Sequence, residues 1–194
     1  MPGDLDGLIG LEWLCTNGLG GYASGTIGGP NTRRYHGLLV AALQPPVQRT
    51  LLVAGLDESL WSGPANFQLA THEYHDGAVH PHGYRYLASF AIERGVPTWE
   101  YAFQGWRLQK KVWLEQGQDT TFVRYVLLES GSASRLELTP LCAYRDFHAE
   151  QHGGYDFEAD FGADGLRVEA GSAAQPYWIA CDRPAGFQPQ PVWY

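Results

Sequence analysis

The chain has 194 residues, of which 44% are hydrophobic and 18% are charged, a balance that favours one folded globular domain over disorder. Its net charge is −8, so phosphate backbones and anionic membrane surfaces are repelled, and we expect neither nucleic acid nor a membrane as a partner. The longest apolar runs, at 38–43 and 51–56, are too short to span a bilayer.

The predicted elements are nearly all strands. The chain contains 24 Gly, 11 Tyr, 8 Phe and 7 Trp, which suits an all-β domain with many turns. Residues 1–37 are glycine-rich and are predicted to be irregular. Alternating or continuous apolar patterns then predict strands. These strands lie at 38–43, 50–56, 106–115, 120–129, 135–138, 166–170 and 175–181, with a turn at Pro45-Pro46 between the first two.

Short strands separated by Gly, Ser and Asp clusters, as at 129–134 and 162–165, are typical of an antiparallel sandwich or barrel. Residues 183–191 contain three prolines and are predicted to form a linker. We expect the polypeptide to continue beyond the apolar residues 192–194. Residues 1–15 have no basic start, so no secretory signal is predicted. The odd number of cysteines, three, favours reduced thiols and a cytoplasmic location.

The first candidate site follows the glycine-rich stretch 17–29. Arginine offers a rigid fork of donors, histidine can donate or accept, and tyrosine adds a flat ring with a hydroxyl, so such a set could bind a polyhydroxylated ligand. The alternative is that these groups cap loops and pair with neighbouring acids. The candidate residues are Asn17, Asn31, Arg33, Arg34, Tyr35 and His36.

A second candidate site is predicted where a strand ends within 138–152. Strand ends often carry functional side chains, but they also carry structural ion pairs, and the sequence leaves both interpretations open. The residues concerned are Tyr144, Arg145, Asp146, Phe147 and His148.

Two further patterns carry less information. His72, His75, His80 and His82 lie close together in the sequence, but their spacing matches no metal motif. We therefore expect a solvated polar hairpin, with no metal and no cofactor. Carboxylates that could serve as an acid–base pair for glycoside hydrolysis are numerous, but the sequence gives no separations from which to choose a pair.

Long segments around the first site resemble a known family. Residues 12–43, EWLCTNGLGGYASGTIGGPNTRRYHGLLVAAL, and residues 45–60, PPVQRTLLVAGLDESL, resemble the N-terminal domain of bacterial and archaeal glycogen debranching enzymes of the amylo-α-1,6-glucosidase type. Residues 138–148, LTPLCAYRDFH, resemble a second signature of that family.

The resemblance implies a large antiparallel β-sandwich of the supersandwich kind over 1–183. Residues 184–194 would begin a linker to an (α/α)6 catalytic domain of the same polypeptide. The catalytic acid and base would lie in that domain, so no residue of this chain is expected to be catalytic. The implied partners are this catalytic domain and an α-glucan, either glycogen or limit dextrin.

Three functions remain open. In the first, the domain helps to bind and position α-glucan for hydrolysis of α-1,6 branches, and Arg33, Arg34, Tyr35 and His36 contact the sugar or the catalytic domain. In the second, the same loop is a structural interface that touches no sugar. In the third, the chain is a small glycoside hydrolase with its own carboxylates.

Overall fold

A computed structural model of the chain describes residues 4–130, 134–153, 156–163 and 165–188. The architecture is nearly all β, as predicted. Among the described residues, no helix is long and apolar enough to cross a lipid bilayer. In chain order the elements are α1 (Leu5–Ile9), β1 (Glu12–Thr16), β2 (Tyr22–Thr26), β3 (Gly37–Gln44), β4 (Val47–Ser62), β5 (Ala65–Gln68), β6 (Thr71–Glu73), β7 (Val79–His82), a 3-10 turn (Gly83–Tyr86), β8 (Leu87–Glu93), β9 (Val96–Phe103), β10 (Trp106–Leu114), β11 (Thr121–Glu129), β12 (Arg135–Asp146), β13 (Glu158–Gly162), β14 (Gly165–Glu169) and β15 (Tyr177–Ile179).

Within the described ranges, the strands form four antiparallel sheets. The central sheet has the order β1-β2-β3-β4-β12, with β5 added to β4. The four-stranded sheet has the order β11-β10-β9-β8, and the three-stranded sheet has the order β13-β14-β15. The strands β6 and β7 pair with each other in a separate hairpin.

The central sheet contributes to two hydrophobic cores, each shared with a different one of the other sheets. The first core joins it to the four-stranded sheet. There the Trp13 and Trp99 rings meet edge to face at 5.3 Å, and the Trp99 indole N–H donates to the Ile27 carbonyl at 3.1 Å. The second core joins it to the three-stranded sheet through Ala41, Leu52, Val53, Leu166, Val168 and Tyr177. The expectation of a β-sandwich is therefore confirmed.

The strands predicted from residue 38 onward are present, but no strand was predicted at β5 to β9 or at β13, and the prediction before residue 38 fails. The turn at Pro45-Pro46 does separate β3 from β4. The prediction that residues 1–37 are irregular is wrong, since α1, β1 and β2 lie there. The strand β2 escapes a hydrophobicity pattern because its inward residues are small: Ala23 is fully buried, and Gly25 lies against the Trp13 indole.

The structure bears on two predicted boundaries, the end of the strand at 135–138 and the end of the domain at residue 183. The strand predicted at 135–138 continues to Asp146, so Tyr144, Arg145 and Asp146 belong to the end of β12 rather than following it. Bulges in its pairing with β4 break the alternation that would have revealed this extension. At the other end of the chain, Phe187 packs against the second core. The domain boundary at 183/184 stays a prediction.

Candidate functional site

The structure brings the two candidate segments together at one surface. The Arg34 guanidinium donates to the His148 carbonyl at 3.1 Å, and the Tyr35 hydroxyl lies 3.2 Å from His148 Nδ1. In return, the Arg145 guanidinium donates to the Arg34 carbonyl at 2.6 Å. The loop 30–36 between β2 and β3 is therefore joined to the end of β12. We call the surface formed by residues 33–36 and 145–150, with Tyr22 and Arg49, the loop–strand site.

Four strands of the central sheet supply the floor of this site. Tyr22, Val40, Leu51 and Arg145 are successive neighbours across β2, β3, β4 and β12. The middle two side chains are buried, and the outer two carry the polar groups. The Tyr22 hydroxyl donates to the Tyr35 carbonyl at 2.9 Å, so the loop lies over the row.

A glycine lets the loop approach this floor. Gly37 begins β3 directly after the loop, and a Cβ there would collide with the Leu51 side chain. Any larger residue would push the loop or the leucine away. The RRYHG sequence therefore combines four polar side chains with the one residue that allows them to pack closely on the sheet.

Strand alternation places the site on one particular face of the central sheet. Ala23 points into the first core, so Tyr22 and Ser24 point to the opposite face. Both hydroxyls donate to the Tyr35 carbonyl, the serine at 3.3 Å. Val40 and Arg145 of the same row alternate in the same way with Ala41 and Tyr144, which lie in or against the second core. The loop–strand site therefore faces away from both cores.

Arg145 holds the turn that follows β12. Its guanidinium donates to the carbonyls of Ala149 at 2.9 Å and Asp146 at 3.3 Å. The Asp146 carboxylate accepts the His148 backbone N–H at 2.8 Å, so it shapes the turn. Burial is the main cause that lowers the pKa of Arg145, and the like charge of Arg34 acts in the same direction.

The outer surface of the site offers an aromatic ring among donors. Tyr35 is 41% exposed, and its ring packs against Phe147 at 5.6 Å. The Arg49 guanidinium lies over the Phe147 ring, 5.3 Å from its centroid. Arg34 pairs with Glu150 at 3.1 Å. A ring face beside guanidinium groups can stack on a sugar ring and hydrogen-bond its hydroxyls.

The other end of the loop is fixed to β1. Arg33 pairs with the Glu12 carboxylate at 2.6 Å, and His36 Nε2 lies 3.3 Å from the same oxygen. His36 is only 4% exposed, and its Nδ1 has no hydrogen-bond partner among the described residues. Burial lowers the pKa of His36, although the Glu12 carboxylate acts in the opposite direction.

The comparison with protein families identifies the chain. The family model described as glycogen debranching enzyme N terminal matches residues 11–194. The chain belongs to this family. Comparisons with curated proteins and with solved structures gave no match. The matched residues include both segments of the loop–strand site of this glycogen debranching enzyme N-terminal domain.

Three predicted residues of this debranching-enzyme domain have structural surroundings of their own. Asn17 is fully buried, and its amide donates to the Asp119 carboxylate at 2.7 Å, which joins the β1–β2 loop to the β10–β11 turn. Asn31 donates to the Ala54 carbonyl at 2.8 Å and anchors the start of the loop. The Tyr144 hydroxyl accepts the backbone N–H of Gln175 at 3.0 Å, beside the second core.

Sequence reasoning assigned no role to Tyr22 and Arg49, which lie in the loop–strand site, or to Glu12, which pairs with Arg33 at its edge. The signal for Tyr22 was weak, since its strand lacks large apolar residues. Arg49 and Glu12 each occupy a polar position at a strand end, a pattern shared with many surface residues. Their roles depend on contacts between segments that are distant in the sequence.

The histidine-rich segment forms the β6–β7 hairpin. His72 Nε2 lies 2.8 Å from the Asp57 carboxylate, and the rings of His80 and His82 meet edge to face at 6.3 Å. Within the described part of the chain, no three His, Cys, Asp or Glu side chains are grouped in a way that could hold a metal ion.

Proposed function

We propose that this domain binds an α-glucan chain at the loop–strand site and positions it for an (α/α)6 catalytic domain that hydrolyses α-1,6 branches. The observation that supports this proposal is the meeting of residues 33–36 and 145–148 at one exposed surface. Membership of the glycogen debranching enzyme N-terminal family supports glucan as the sugar.

The arrangement suits a polyhydroxylated ligand because its groups are already held in place. Arg145 and Tyr22 fix the backbone of the loop, so little conformational freedom remains to be lost on binding. The exposed Tyr35 ring offers a flat surface to the apolar face of a pyranose. Arg34 and Arg49 would donate to hydroxyl groups, each hydrogen bond contributing about 1 kcal/mol.

The experiment is a calorimetric titration of the full chain with a branched maltooligosaccharide. Tyr35→Ala should weaken binding about ten-fold, because a lost aromatic contact costs about 1.4 kcal/mol. Tyr74→Ala is the matched control, since Tyr74 is 40% exposed against 41% for Tyr35 and lies on the β6–β7 hairpin. Absence of binding, or equal weakening by both substitutions, would refute the proposal.

A second candidate function is that of a docking surface for the catalytic domain, with no sugar contact. It is favoured by Leu11 and Leu14, which are 56% and 61% exposed and flank Glu12 beside the site. In that case Leu14→Ser would weaken association with a separately supplied catalytic domain. The titration with branched maltooligosaccharide would then show no binding.

The third possibility, a self-contained hydrolase, gains no support from the site. Its carboxylates already have partners: Glu12 pairs with Arg33, Glu150 pairs with Arg34, and Asp146 accepts a backbone N–H. Release of sugar from a branched dextrin by the isolated chain would restore this possibility.

A further inference from the structure

A concave surface lies on the outer face of the four-stranded sheet. We call it the trough; its volume is about 580 Å³, within the range of small-molecule sites. The central sheet and the first core separate it from the loop–strand site, so the two surfaces are distinct. The trough is lined by Glu93, Arg94, Val96, Lys111, Trp113 and Arg124.

An indole ring forms one wall of the trough. Trp113 stacks on Phe122 of β11, with ring centroids 5.3 Å apart and planes 12° apart. Because β10 lies between β11 and β9, Phe122 covers the side of the indole that faces β11. The β8–β9 turn, which supplies Glu93, Arg94 and Val96, lies towards the other side. Because the trough is lined by this turn and by Trp113, a flat ligand in it would contact the indole from that side.

The trough carries an excess of positive charge. Lys111 pairs with Glu93 at 2.6 Å, whereas Arg94 and Arg124 make no ion pair or side-chain hydrogen bond with any described residue. Three cationic groups thus face one carboxylate, in a chain whose net charge is −8.

The arrangement of these charges is unfavourable without a ligand. Lys111 and Arg124 are directly opposite each other on β10 and β11, and like charges in that position destabilise a sheet. Arg107, also on the outer face of β10, has its charge balanced within the fold, since its guanidinium pairs with both Glu100 and Glu129. An anion in the trough would relieve the repulsion that the fold leaves in place.

We propose that the trough binds a phosphorylated glucose unit, with the pyranose ring stacked on Trp113 and the phosphate held by Arg94 and Arg124. Guanidinium groups bind phosphate oxygens in a bidentate manner. Glucose is favoured over other ring ligands because the chain belongs to a glycogen debranching family. The unit can be a free hexose phosphate or a phosphorylated residue of a glucan, which the experiment distinguishes.

The experiment titrates the full chain with glucose 6-phosphate, glucose 1-phosphate, a phosphorylated dextrin, maltotriose and inorganic phosphate. At least one phosphorylated sugar should bind more than ten-fold more tightly than inorganic phosphate, and its affinity should fall as salt concentration rises. Tighter binding of the dextrin identifies the glucan source, and tighter binding of a monosaccharide identifies the free source. Maltotriose should not displace either ligand from the trough.

Three variants assign the binding to the trough. Arg124→Gln should weaken binding at least ten-fold and leave the melting temperature unchanged or slightly higher, because it removes the repulsion from Lys111. Trp113→Phe should weaken binding less. Arg107→Gln is the control on the same face and should bind normally. Tyr35→Ala should also bind the phosphorylated sugar normally, which distinguishes binding at the trough from glucan binding at the loop–strand site.

Several results would overturn the proposal. One is failure of every phosphorylated sugar to bind, and another is normal binding by Arg124→Gln. Equal affinity for inorganic phosphate would show an anion site with no sugar contact, and equal affinity for maltotriose would show a neutral sugar site. Adenosine monophosphate is titrated as a further competitor, and tighter binding of it than of the glucose phosphates would show that the indole stacks on a nucleobase instead.

Discussion

At the scale of single residues, the fold around the loop–strand site favours the neutral form of His36. Its Nε2 faces the Glu12 carboxylate at 3.3 Å, so the proton of the neutral ring belongs on that nitrogen, and Nδ1 remains buried without a partner. A second proton, on Nδ1, would give the buried ring a positive charge, and the new N–H group would have no hydrogen-bond acceptor. The Arg33 cation, which pairs with the same carboxylate, adds to this cost.

This burial predicts a pH dependence of stability. The pKa of His36 is lowered from 6.5 in the folded protein, so as pH falls below that value the unfolded chain takes up a proton that the folded chain refuses. The free energy of unfolding should therefore decrease with falling pH, by up to about 1.4 kcal/mol per pH unit, until the folded-state pKa is reached. Urea unfolding of the wild type and His36→Gln from about pH 7 to pH 5 measures the effect.

The His36→Gln variant should be less stable at neutral pH but should lose stability more slowly as the solution is acidified. His152→Gln provides the control, because the His152 side chain is 87% exposed. Parallel curves for the wild type and His36→Gln would show that His36 protonates equally in both states, contrary to this account.

At the scale of secondary-structure elements, β10 places two neighbouring lysines in opposite environments. Lys111 lies on the outer face and pairs with Glu93. Lys110 points inward, where its ammonium group pairs with the buried Glu58 carboxylate of β4. The Tyr125 hydroxyl donates to the same carboxylate at 2.6 Å, and burial followed by the charge of Glu58 raises the pKa of Tyr125. This polar cluster joins the central sheet to the four-stranded sheet.

The two lysines give a matched test of that cluster. Lys110→Met should lower the free energy of unfolding by about 3–5 kcal/mol, because Glu58 would be left buried without its cation. Lys111→Met removes a partly exposed pair and should cost less than about 1 kcal/mol. Chemical denaturation of the two variants provides the comparison. Similar losses for both would mean that the Glu58 carboxylate gains little from Lys110.

The sequence predicts β10 well and predicts its partners poorly. Alternation along 106–115 correctly separates Trp106 and Val112, which are buried, from the outward Arg107 and Trp113. It cannot explain Lys110 on the inward face, because the compensating Glu58 is 52 positions away in the sequence. The same limit applies to the loop–strand site, whose hydrogen-bonding partners Tyr35 and His148 are 113 positions apart.

At the scale of the whole molecule, the packing of separate sheets explains why the local predictions did not give the architecture. The strands of the three-stranded sheet were predicted in part, at 166–170 and 175–181, but their alternation does not say which sheet they cover. Val168 is nearly fully buried because it packs with Ala41, Leu52 and Val53 of the central sheet. The Tyr177 hydroxyl also donates to the Ala143 carbonyl of β12 at 3.4 Å, which joins the three-stranded sheet to the strand that ends at the loop–strand site.

The two cores should differ in how much of the domain is destabilised when a buried side chain in each of them is truncated. Val112 and Val168 are 0% and 1% exposed, so Val→Ala at each position removes a similar buried volume and should cost about 2 kcal/mol. The second core has few members and is covered by three short strands, of which β13 is exposed throughout. Local opening of β13–β15 therefore requires less free energy than opening of β9–β11.

Hydrogen exchange followed by mass spectrometry tests this difference. Val168→Ala should speed exchange in β13–β15 and leave the amides of β9 and β10 protected, since the first core remains packed. Val112→Ala should lower the stability of the core that both larger sheets share, so exchange should rise in all three sheets. If Val168→Ala instead accelerated exchange in β9 and β10 to the same extent, the three-stranded sheet would be part of one cooperative unit with the rest of the domain, and the loop–strand site beside it could not loosen separately from the first core.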